Sequence, residues 1–216
     1  MLNDITIIIC CAGMGTRLGI GTTKALVNVF GKPLILRQLD LMKDIEDVRI
    51  VVGYQAEKVI DCVNSVRKNV LYAFNYDFRT TGEAESLSTA LIGLNKYTII
   101  IDGDLLINSE DFISLLEYPG ECLGICNINS EEPIYANVDN DGIVTELNEI
   151  TGNCEYSCIA KIKSSRLQKG EGSVYSLLNN LLPINSLYIR TRDIDTPDDY
   201  ERMIEWFEAV YLITFI

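Results

Sequence analysis

A glycine-rich turn and nearby cations at the start of the sequence could bind a polyphosphate. The apolar run 5–11 leads directly into Ala-Gly-Met-Gly-Thr-Arg at residues 12–17, and Lys24 follows shortly after. Glycines let backbone N–H groups approach phosphate oxygens where a Cβ would clash, and a following helix N-terminus would add a positive dipole. Arg17, Lys24 and Lys32 could neutralise the bound anion.

The spacing of this turn differs from two common nucleotide-binding motifs. A dinucleotide-binding turn needs a third glycine where Leu18 stands and an acid about twenty positions later, but residues 27–39 contain no acid. A Walker loop needs its lysine directly after the last glycine, whereas Lys24 lies within Thr-Thr-Lys-Ala. Neither standard motif fits.

Two acidic residues follow a second apolar run. Asp102 and Asp104 come directly after residues 97–101. Open α/β sheets bind ligands at the carboxyl ends of their strands, so these acids should share a sheet edge with the glycine turn. Because Mg²⁺ binds through one or two carboxylates plus substrate phosphates, they predict a magnesium site. The alternative is a loop whose acids cap the next helix.

A third acidic segment precedes the last predicted helix. Thr196 can cap this helix, Pro197 suits its first position, and Asp198 and Asp199 favour its dipole. These residues therefore have a structural explanation. Asp195, which precedes the cap, has none.

Composition narrows the possible partners and location. A formal net charge of −13 argues against nucleic acid and anionic membranes, which are bound through excess Lys and Arg. No signal pattern or membrane-spanning stretch is recognised, and the seven cysteines are expected to be reduced thiols, so a cytoplasmic protein is predicted.

Histidine, the commonest general base, is absent. A phosphate monoester nucleophile needs none, since its second pKa of roughly 6 leaves it mostly dianionic at neutral pH.

Apolar runs alternate with helical patterns, and the pattern becomes richer in strands after residue 123. This alternation predicts an α/β fold with a doubly wound, mostly parallel sheet of Rossmann-like type, and residues 139–142 predict a tight hairpin turn. The predicted strands are 5–11, 48–52, 70–74, 97–101, 123–128, 134–138, 143–147, 157–162 and 187–190, and the predicted helices are 34–43, 57–65, 86–94, 110–116, 174–182 and 197 onward.

Three sequence blocks resemble the nucleotidyltransferase family that makes nucleotide-activated sugars and alcohols. The family pattern Ala-Ala-Gly-x-Gly-Thr-Arg-Leu is similar to residues 11–18, Pro-Lys-x-Leu to residues 23–26 and Gly-Lys-Pro-Leu-Ile to residues 31–35. Thr23 replaces the proline, which would leave the loop less restricted in φ. The resemblance implies the nucleotide-diphospho-sugar transferase fold as a single domain, 1–216, with residues 1–120 binding the nucleotide and residues 121–216 binding the acceptor.

The resemblance also implies roles for individual residues. The segment 193–200 is similar to the family ending Asp-x-Asp-Thr-Pro-Glu-Asp-Leu, which implies that Asp104 and Asp195 hold Mg²⁺, with Asp102 a weaker candidate. Lys24 and Arg17 are the predicted catalytic residues, since both would neutralise the triphosphate and Lys24 is similar to the family's signature lysine.

Residues 51–57, 74–76 and 80–87 resemble the branch that transfers cytidylyl groups to small phosphorylated alcohols, which includes choline-phosphate and inositol-phosphate cytidylyltransferases. Phe78 stands where that branch often has tyrosine. This resemblance implies CTP as the favoured nucleoside triphosphate, a phosphorylated small alcohol or sugar as acceptor, and pyrophosphate as leaving group. The predicted nucleotide-binding residues are Ala12, Gly13, Met14, Gly15, Thr16, Arg17, Lys24, Asn75, Thr81, Gly82 and Ser86.

Two alternative functions stay open. Residues 17–19 and 24–26 are also similar to molybdenum-cofactor guanylyltransferases, although Thr23 replaces the acid of that pattern. A regulatory nucleotide-binding domain without catalysis is the second alternative. Retention of Arg17, Lys24, Asp104 and Asp195 counts against it.

The second half of the sequence contains candidate acceptor and association surfaces. Glu146, Glu149 and Tyr156 could bind a cationic head group such as choline, or could lie on a solvated surface. The apolar segment 206–216 could be a core element or a patch for a homodimer.

Overall fold

A nine-stranded sheet forms the centre of the protein in a computed structural model that describes residues 2–19 and 21–209. The strands are β1 Ile5–Cys11, β2 Asn28–Val29, β3 Lys32–Pro33, β4 Asp47–Val52, β5 Leu71–Phe74, β6 Tyr97–Asp102, β7 Leu106–Ile107, β8 Cys122–Cys126, β9 Tyr135–Val138, β10 Ile143–Asn148, β11 Cys154–Lys163, β12 Ile184–Tyr188 and β13 Thr191–Arg192. The order in the nine-stranded sheet is β5-β4-β1-β6-β11-β8-β12-β10-β9, and the short strands β2, β3, β7 and β13 are paired outside it. The α-helices are α1 Leu34–Leu41, α2 Ala56–Asn64, α3 Glu83–Ser88, α4 Ser109–Glu117, α5 Val174–Asn179 and α6 Pro197–Phe207.

Strands β5, β4, β1 and β6 are mutually parallel, with β1 between β4 and β6. The sheet continues through the antiparallel β11, and the later strands form a mixed sheet in which β12 and β8 are parallel. The predicted α/β fold with a sheet of Rossmann-like type is confirmed. The hairpin turn at 139–142 also joins two antiparallel strands, β9 and β10, as predicted.

The alternation of side chains along β1 explains why helices cover both faces. Ile7 and Ile9 pack on one face with α1, α2 and α4, whereas Ile8 packs on the other face with α3 and α5, and all three are fully buried. A strand that is apolar on both sides must be covered on both sides. The carboxyl end of β1, where the chain leaves this packed core, remains accessible.

Helix α3 differs from its prediction. The apolar pattern predicted residues 86–94, but the helix begins at Glu83, because the side chain of Glu85 accepts a hydrogen bond from the N–H of Gly82 and caps the helix at that earlier position. After Ser88 the chain tightens into turns, with Ala90 donating to the carbonyl of Leu87. Smaller differences are a β12 that starts three residues earlier than predicted and an α5 that ends three residues earlier.

Helix α6 packs against the segment that follows the glycine turn. Its Met203 is fully buried against Leu18, Val27 and Leu34. Within the part of the chain that the structure describes, no helix is both long and apolar enough to span a bilayer. Residues 210–216 of the predicted apolar terminal segment lie outside the described residues.

Candidate active site

The glycine turn leaves the carboxyl end of β1 between two parallel neighbours. Gly15 has φ +59°, and a Cβ built on it would lie 2.9 Å from Cγ of Lys24, so a side chain there would be strained and crowded. The expected α-helix does not follow the turn. A three-residue 3₁₀-helix, Thr16–Leu18, ends at Gly19 with φ +70°, so phosphate binding would rely on the turn and the cations rather than on a long helix dipole.

Lys24 begins a second 3₁₀-helix, Lys24–Leu26, which turns its side chain toward the sheet edge. Thr23, where the resemblance has proline, is buried and has φ −65°, the value that a proline ring imposes. The carbonyl of Thr23 accepts a hydrogen bond from the N–H of Leu26 at 3.0 Å. The folded loop therefore adopts the proline-like conformation without proline.

The Lys24 ammonium joins the two carboxylates that the sequence predicted as a pair. Its Nζ lies 2.8 Å from Oδ2 of Asp104 and also forms an ion pair with Asp195. Burial lowers the pKa of Lys24, but the two carboxylates more than offset this and raise it overall. Lys24 is therefore protonated at neutral pH, and residues distant in sequence share one cation.

Asp195 reaches this position through the cap of α6. The side chain of Thr196 accepts a hydrogen bond from the N–H of Asp199 at 3.2 Å, and Oδ2 of Asp199 accepts from the N–H groups of Asp195 and Thr196. The predicted cap is thus observed. It fixes the backbone of Asp195, whose side chain is left to face Lys24.

Carboxylates outnumber cations at this edge. Burial raises the pKa of Asp102 well above its usual value, and the charges of Glu83 and Asp104 add to this. Burial, together with Asp104 and Asp195, raises the pKa of Asp193 to about 7. Both shifts arise from desolvated negative charge, which a bound cation would relieve.

The donor set suits a divalent cation whose coordination is completed by phosphate oxygens. Across residues 2–19 and 21–209, no group of three or more His, Cys, Asp or Glu side chains is arranged to hold a metal ion. Mg²⁺ usually keeps several waters and uses one or two carboxylates together with substrate phosphates. Asp104 and Asp195 fit this role because both already contact one ammonium group.

Arg17 is more exposed than Lys24 and connects the turn to a loop of the second half. One guanidinium nitrogen lies 2.6 Å from Glu132 and the other lies 3.1 Å from Asp195. Lys32 does not join this group. It lies on β3 and forms an ion pair with Asp40 on α1, so the structure does not bring it together with Arg17 and Lys24.

The cavity at the glycine turn, here called the turn cleft, has a volume of about 220 Å³ and is lined by Ala12, Gly13, Gly15, Lys24, Phe78, Thr81, Gly82, Glu83, Ser86, Asp102 and Asp104, among others. Next to it, Asn75 donates to the hydroxyls of Thr81 at 2.9 Å and Ser86 at 2.8 Å, and Ser86 donates to the carbonyl of Gly82. The predicted nucleotide-binding residues Asn75, Thr81, Gly82 and Ser86 therefore form one connected group. Met14 and Thr16 lie in the turn and in the 3₁₀-helix that follows it.

A larger cavity, here called the acidic cleft, opens from the same edge toward the second half, with a volume of about 810 Å³. It shares Lys24, Gly82, Glu83, Asp102 and Asp104 with the turn cleft. Its other lining residues include Glu131, Glu132, Tyr135, Glu149, Tyr156, Tyr175, Asp193 and Asp195.

Two of the three candidate acceptor residues lie in the acidic cleft. Glu149 accepts a hydrogen bond from the hydroxyl of Tyr175 at 2.8 Å, and Tyr156 is buried at the wall. Glu146 instead accepts a hydrogen bond from Asn137 on β9. Glu132, Tyr135 and Tyr175 are residues that no local pattern indicated, because strand pairing and loop packing bring them to the cleft.

The chain matches the model of the MobA-like NTP transferase domain over residues 7–176. A curated relative, the bifunctional protein GlmU of Campylobacter fetus, is 37% identical over 119 residues, which cover 54% of this chain and 27% of that protein. The chain spans less than half the length of the curated relatives it matches.

Two solved structures have similar folds. CTP:phosphocholine cytidylyltransferase LicC from Streptococcus pneumoniae gives a TM-score of 0.76 at 21% identity, covering 94% of this chain and 99% of that chain. The inositol-1-phosphate CTP transferase from T. maritima gives a TM-score of 0.77 at 16% identity, covering 97% of this chain and 98% of that chain.

The family model defines the class of the protein as an NTP transferase domain, and the two solved structures show that its fold is shared. Because the family model matches well over half of the sequence, the chain belongs to the MobA-like NTP transferase domain family. The predicted membership of a nucleotidyltransferase family is thereby confirmed.

Proposed function

We propose that the chain transfers a nucleotidyl group, CMP from CTP, to a small phosphorylated alcohol and releases pyrophosphate. The observation that carries this proposal is the meeting of Lys24, Asp104 and Asp195 where the turn cleft joins the acidic cleft. A triphosphate in the first cavity and a phosphorylated acceptor in the second would meet at this group. The preference for CTP is supported by the Asn75 group and by the activities of the two structural neighbours, a phosphocholine cytidylyltransferase and an inositol-1-phosphate CTP transferase.

The reaction joins an oxygen of the acceptor phosphate to the α-phosphorus and breaks the bond between that phosphorus and the β-phosphate oxygen. The acceptor oxygen is already ionised at neutral pH, so the chain needs no general base. Catalysis of this kind depends on positioning and on neutralising charge. Lys24 and Arg17 would neutralise the triphosphate, and the glycine turn would bind it through backbone N–H groups.

Asp104 and Asp195 would hold Mg²⁺, with Asp102 as a further candidate. Bound there, the ion would withdraw charge from the phosphate oxygens of both substrates. The side chain of Lys24 can then leave one carboxylate and contact a phosphate oxygen instead, because the phosphate supplies the negative charge that the carboxylate had supplied.

The acceptor is proposed to carry a positive charge in addition to its phosphate. Once Asp104 and Asp195 are assigned to Mg²⁺, the acidic cleft still has Glu131, Glu132 and Glu149 on its wall, together with tyrosines. Among the described residues that line the acidic cleft, Arg17 and Lys24 are the cations, and both lie at the end where the phosphates are proposed to bind. A cationic head group, held by carboxylates and aromatic faces, would balance this charge better than a neutral sugar.

The test is to incubate the purified chain with Mg²⁺, each of the four nucleoside triphosphates and a panel of acceptors, and to measure pyrophosphate. The panel includes phosphocholine, phosphoethanolamine, inositol 1-phosphate and hexose 1-phosphates, with a Lys24→Met variant as control. Release that requires CTP and a cationic acceptor supports the proposal. Preference for a hexose 1-phosphate over the cationic acceptors refutes a cationic acceptor. Pyrophosphate release that requires GTP and added molybdopterin supports a guanylyltransferase. No release above that of the Lys24→Met control favours a regulatory domain.

A further inference from the structure

The turn that carries Asp102 and Asp104 is held from behind by one side chain of helix α1. Gln38 is almost fully buried, and its Nε2 donates hydrogen bonds to the carbonyl of Asp102 at 2.8 Å and to the carbonyl of Leu105 at 2.9 Å. These carbonyls are the first and last of the turn 102–105. One amide group therefore spans the whole segment on which the carboxylates sit.

The other side of the turn is fixed by strand β1. The N–H of Gly103 donates to the carbonyl of Cys10 at 2.9 Å, and a Cβ on Gly103 would lie only 2.8 Å from that same oxygen. Leu105 is buried, so the end of the turn cannot move toward solvent without exposing apolar surface. The 102–105 turn lies between β1 and α1 in the folded protein, and contacts on both sides set its position. Gln38 provides the contact on the α1 side.

The amide of Gln38 is not explained by packing alone. Its Oε1 is buried and has no hydrogen-bond partner among the residues that the structure describes. A buried amide oxygen without a partner is unfavourable, and an apolar side chain of the same length would avoid this cost. What an apolar side chain could not do is donate to the two turn carbonyls.

We propose that Gln38 is a positioning residue that holds the 102–105 turn so that Asp104 can bind the divalent cation of the nucleotide complex. This inference rests on the proposed function. Because the bonds are to backbone carbonyls, they orient the turn whatever the protonation of its carboxyl groups. Small displacements of a bound reactive group have large effects on rate, so loss of these bonds should affect metal binding and turnover more than binding of the acceptor.

The test uses two variants, Gln38→Met and Gln38→Glu, and measures metal binding directly. Mn²⁺ is titrated into the full chain in the presence of a non-hydrolysable CTP analogue and followed by electron paramagnetic resonance, and the Mg²⁺ concentration that gives half-maximal pyrophosphate release is measured in parallel. Gln38→Met should weaken Mn²⁺ binding and raise the Mg²⁺ requirement about 5- to 10-fold, lower kcat, and leave the KM for acceptor nearly unchanged. Gln38→Glu should lie between this variant and the wild type, because a buried, protonated carboxyl can still donate to one carbonyl.

Asn95→Ala is the matched control. Asn95 also donates from its amide to a backbone carbonyl, that of Ile5 at 3.2 Å, but this contact lies at the opposite end of β1. Thermal unfolding is measured for all variants, and Asn95→Ala should lose stability without any change in Mn²⁺ binding.

Unchanged Mn²⁺ binding and Mg²⁺ requirement in both folded Gln38 variants would overturn the inference, as would equal weakening in Asn95→Ala. A wild-type chain that neither binds Mn²⁺ with the nucleotide nor releases pyrophosphate would refute the proposed function, and this inference with it.

Discussion

The Nζ atom of Lys24 lies 2.8 Å from Oδ2 of Asp104, although the residues are 80 positions apart in the sequence. The contact brings the loop after β1 against the turn after β6, two segments that parallel neighbouring strands deliver to the same edge. The cation proposed to contact phosphate is thus paired with the carboxylate proposed to hold the metal. Under the proposed function, substrate binding would exchange partners within this group.

Replacing Lys24 with methionine should reduce the rate of pyrophosphate release about 10²- to 10³-fold, the loss typical of removing a charge-stabilising donor. The apolar side chain keeps the length but cannot neutralise phosphate, and Asp104 and Asp195 would then repel each other. The measurement is kcat with saturating substrates. Lys32→Met, which removes a lysine paired with Asp40 instead, is the control and should retain activity.

Replacing Glu132 with glutamine should lower the KM for the nucleoside triphosphate. Arg17 is paired with Glu132 at 2.6 Å, and a triphosphate must compete for the same guanidinium. Both side chains are largely exposed, and such pairs contribute about 0.2–1 kcal/mol, so the expected decrease is about 1.5- to 5-fold. Steady-state kinetics at fixed acceptor measures it, with Glu131→Gln as control. A higher KM in Glu132→Gln would show that this carboxylate assists binding.

Replacing Asn75 with alanine should raise the KM for the nucleoside triphosphate about 3- to 10-fold, because two hydrogen bonds that orient Thr81 and Ser86 are lost. The change in kcat should be smaller. Calorimetric titration with the nucleotide provides a check that does not depend on turnover. Asn64→Ala, whose side chain accepts a bond from Tyr72 on the outer strand β5, should leave nucleotide binding unchanged.

Asp47 should make the stability of the fold depend on pH in the acid range. Burial raises the pKa of this carboxyl, but hydrogen bonds from Arg49 and Thr6 and the Arg49 charge lower it more, so the folded-state pKa lies below the ordinary value of 3.8. The resulting stabilisation is complete above that value and is lost as pH falls through the folded-state pKa.

Asp47→Asn should therefore lower the free energy of unfolding by about 1–3 kcal/mol at pH 7, and the difference from the wild type should shrink as pH falls toward 3. Urea unfolding at several pH values measures this. Asp44→Asn, at an exposed position, is the matched control. A difference that stayed constant over this range would contradict the assignment.

The sequence predicted what depends on local chemistry. The apolar run of β1, the glycine turn and the Thr196 cap each have neighbours in the sequence that determine them, and the cap identified Asp195 as the acid without a structural role. Helix α3 was misplaced because the capping interaction of Glu85 with Gly82 outweighed the apolar pattern after Ser86.

Contacts between distant segments were not predictable from single residues. Glu132 has no local signal. Its loop is held by distant residues, since Glu155 accepts hydrogen bonds from the N–H groups of Asn129 and Ser130. From the sequence alone, Gln38 is indistinguishable from other polar residues of an amphipathic helix. Its role depends on a turn that comes 64 residues later.

Strand β11 hydrogen-bonds to β6 on one side and to β8 on the other, so the part of the sheet built by residues 1–120 is continued by residues from beyond position 120. A polypeptide stopped at residue 120 would present β6 as a long apolar edge, and such edges recruit other chains into aggregates. The two halves are consequently not exchangeable modules. A foreign segment grafted in place of residues 121–216 would have to supply a strand in the same register, with its counterpart of Ile159 opposite Ile101.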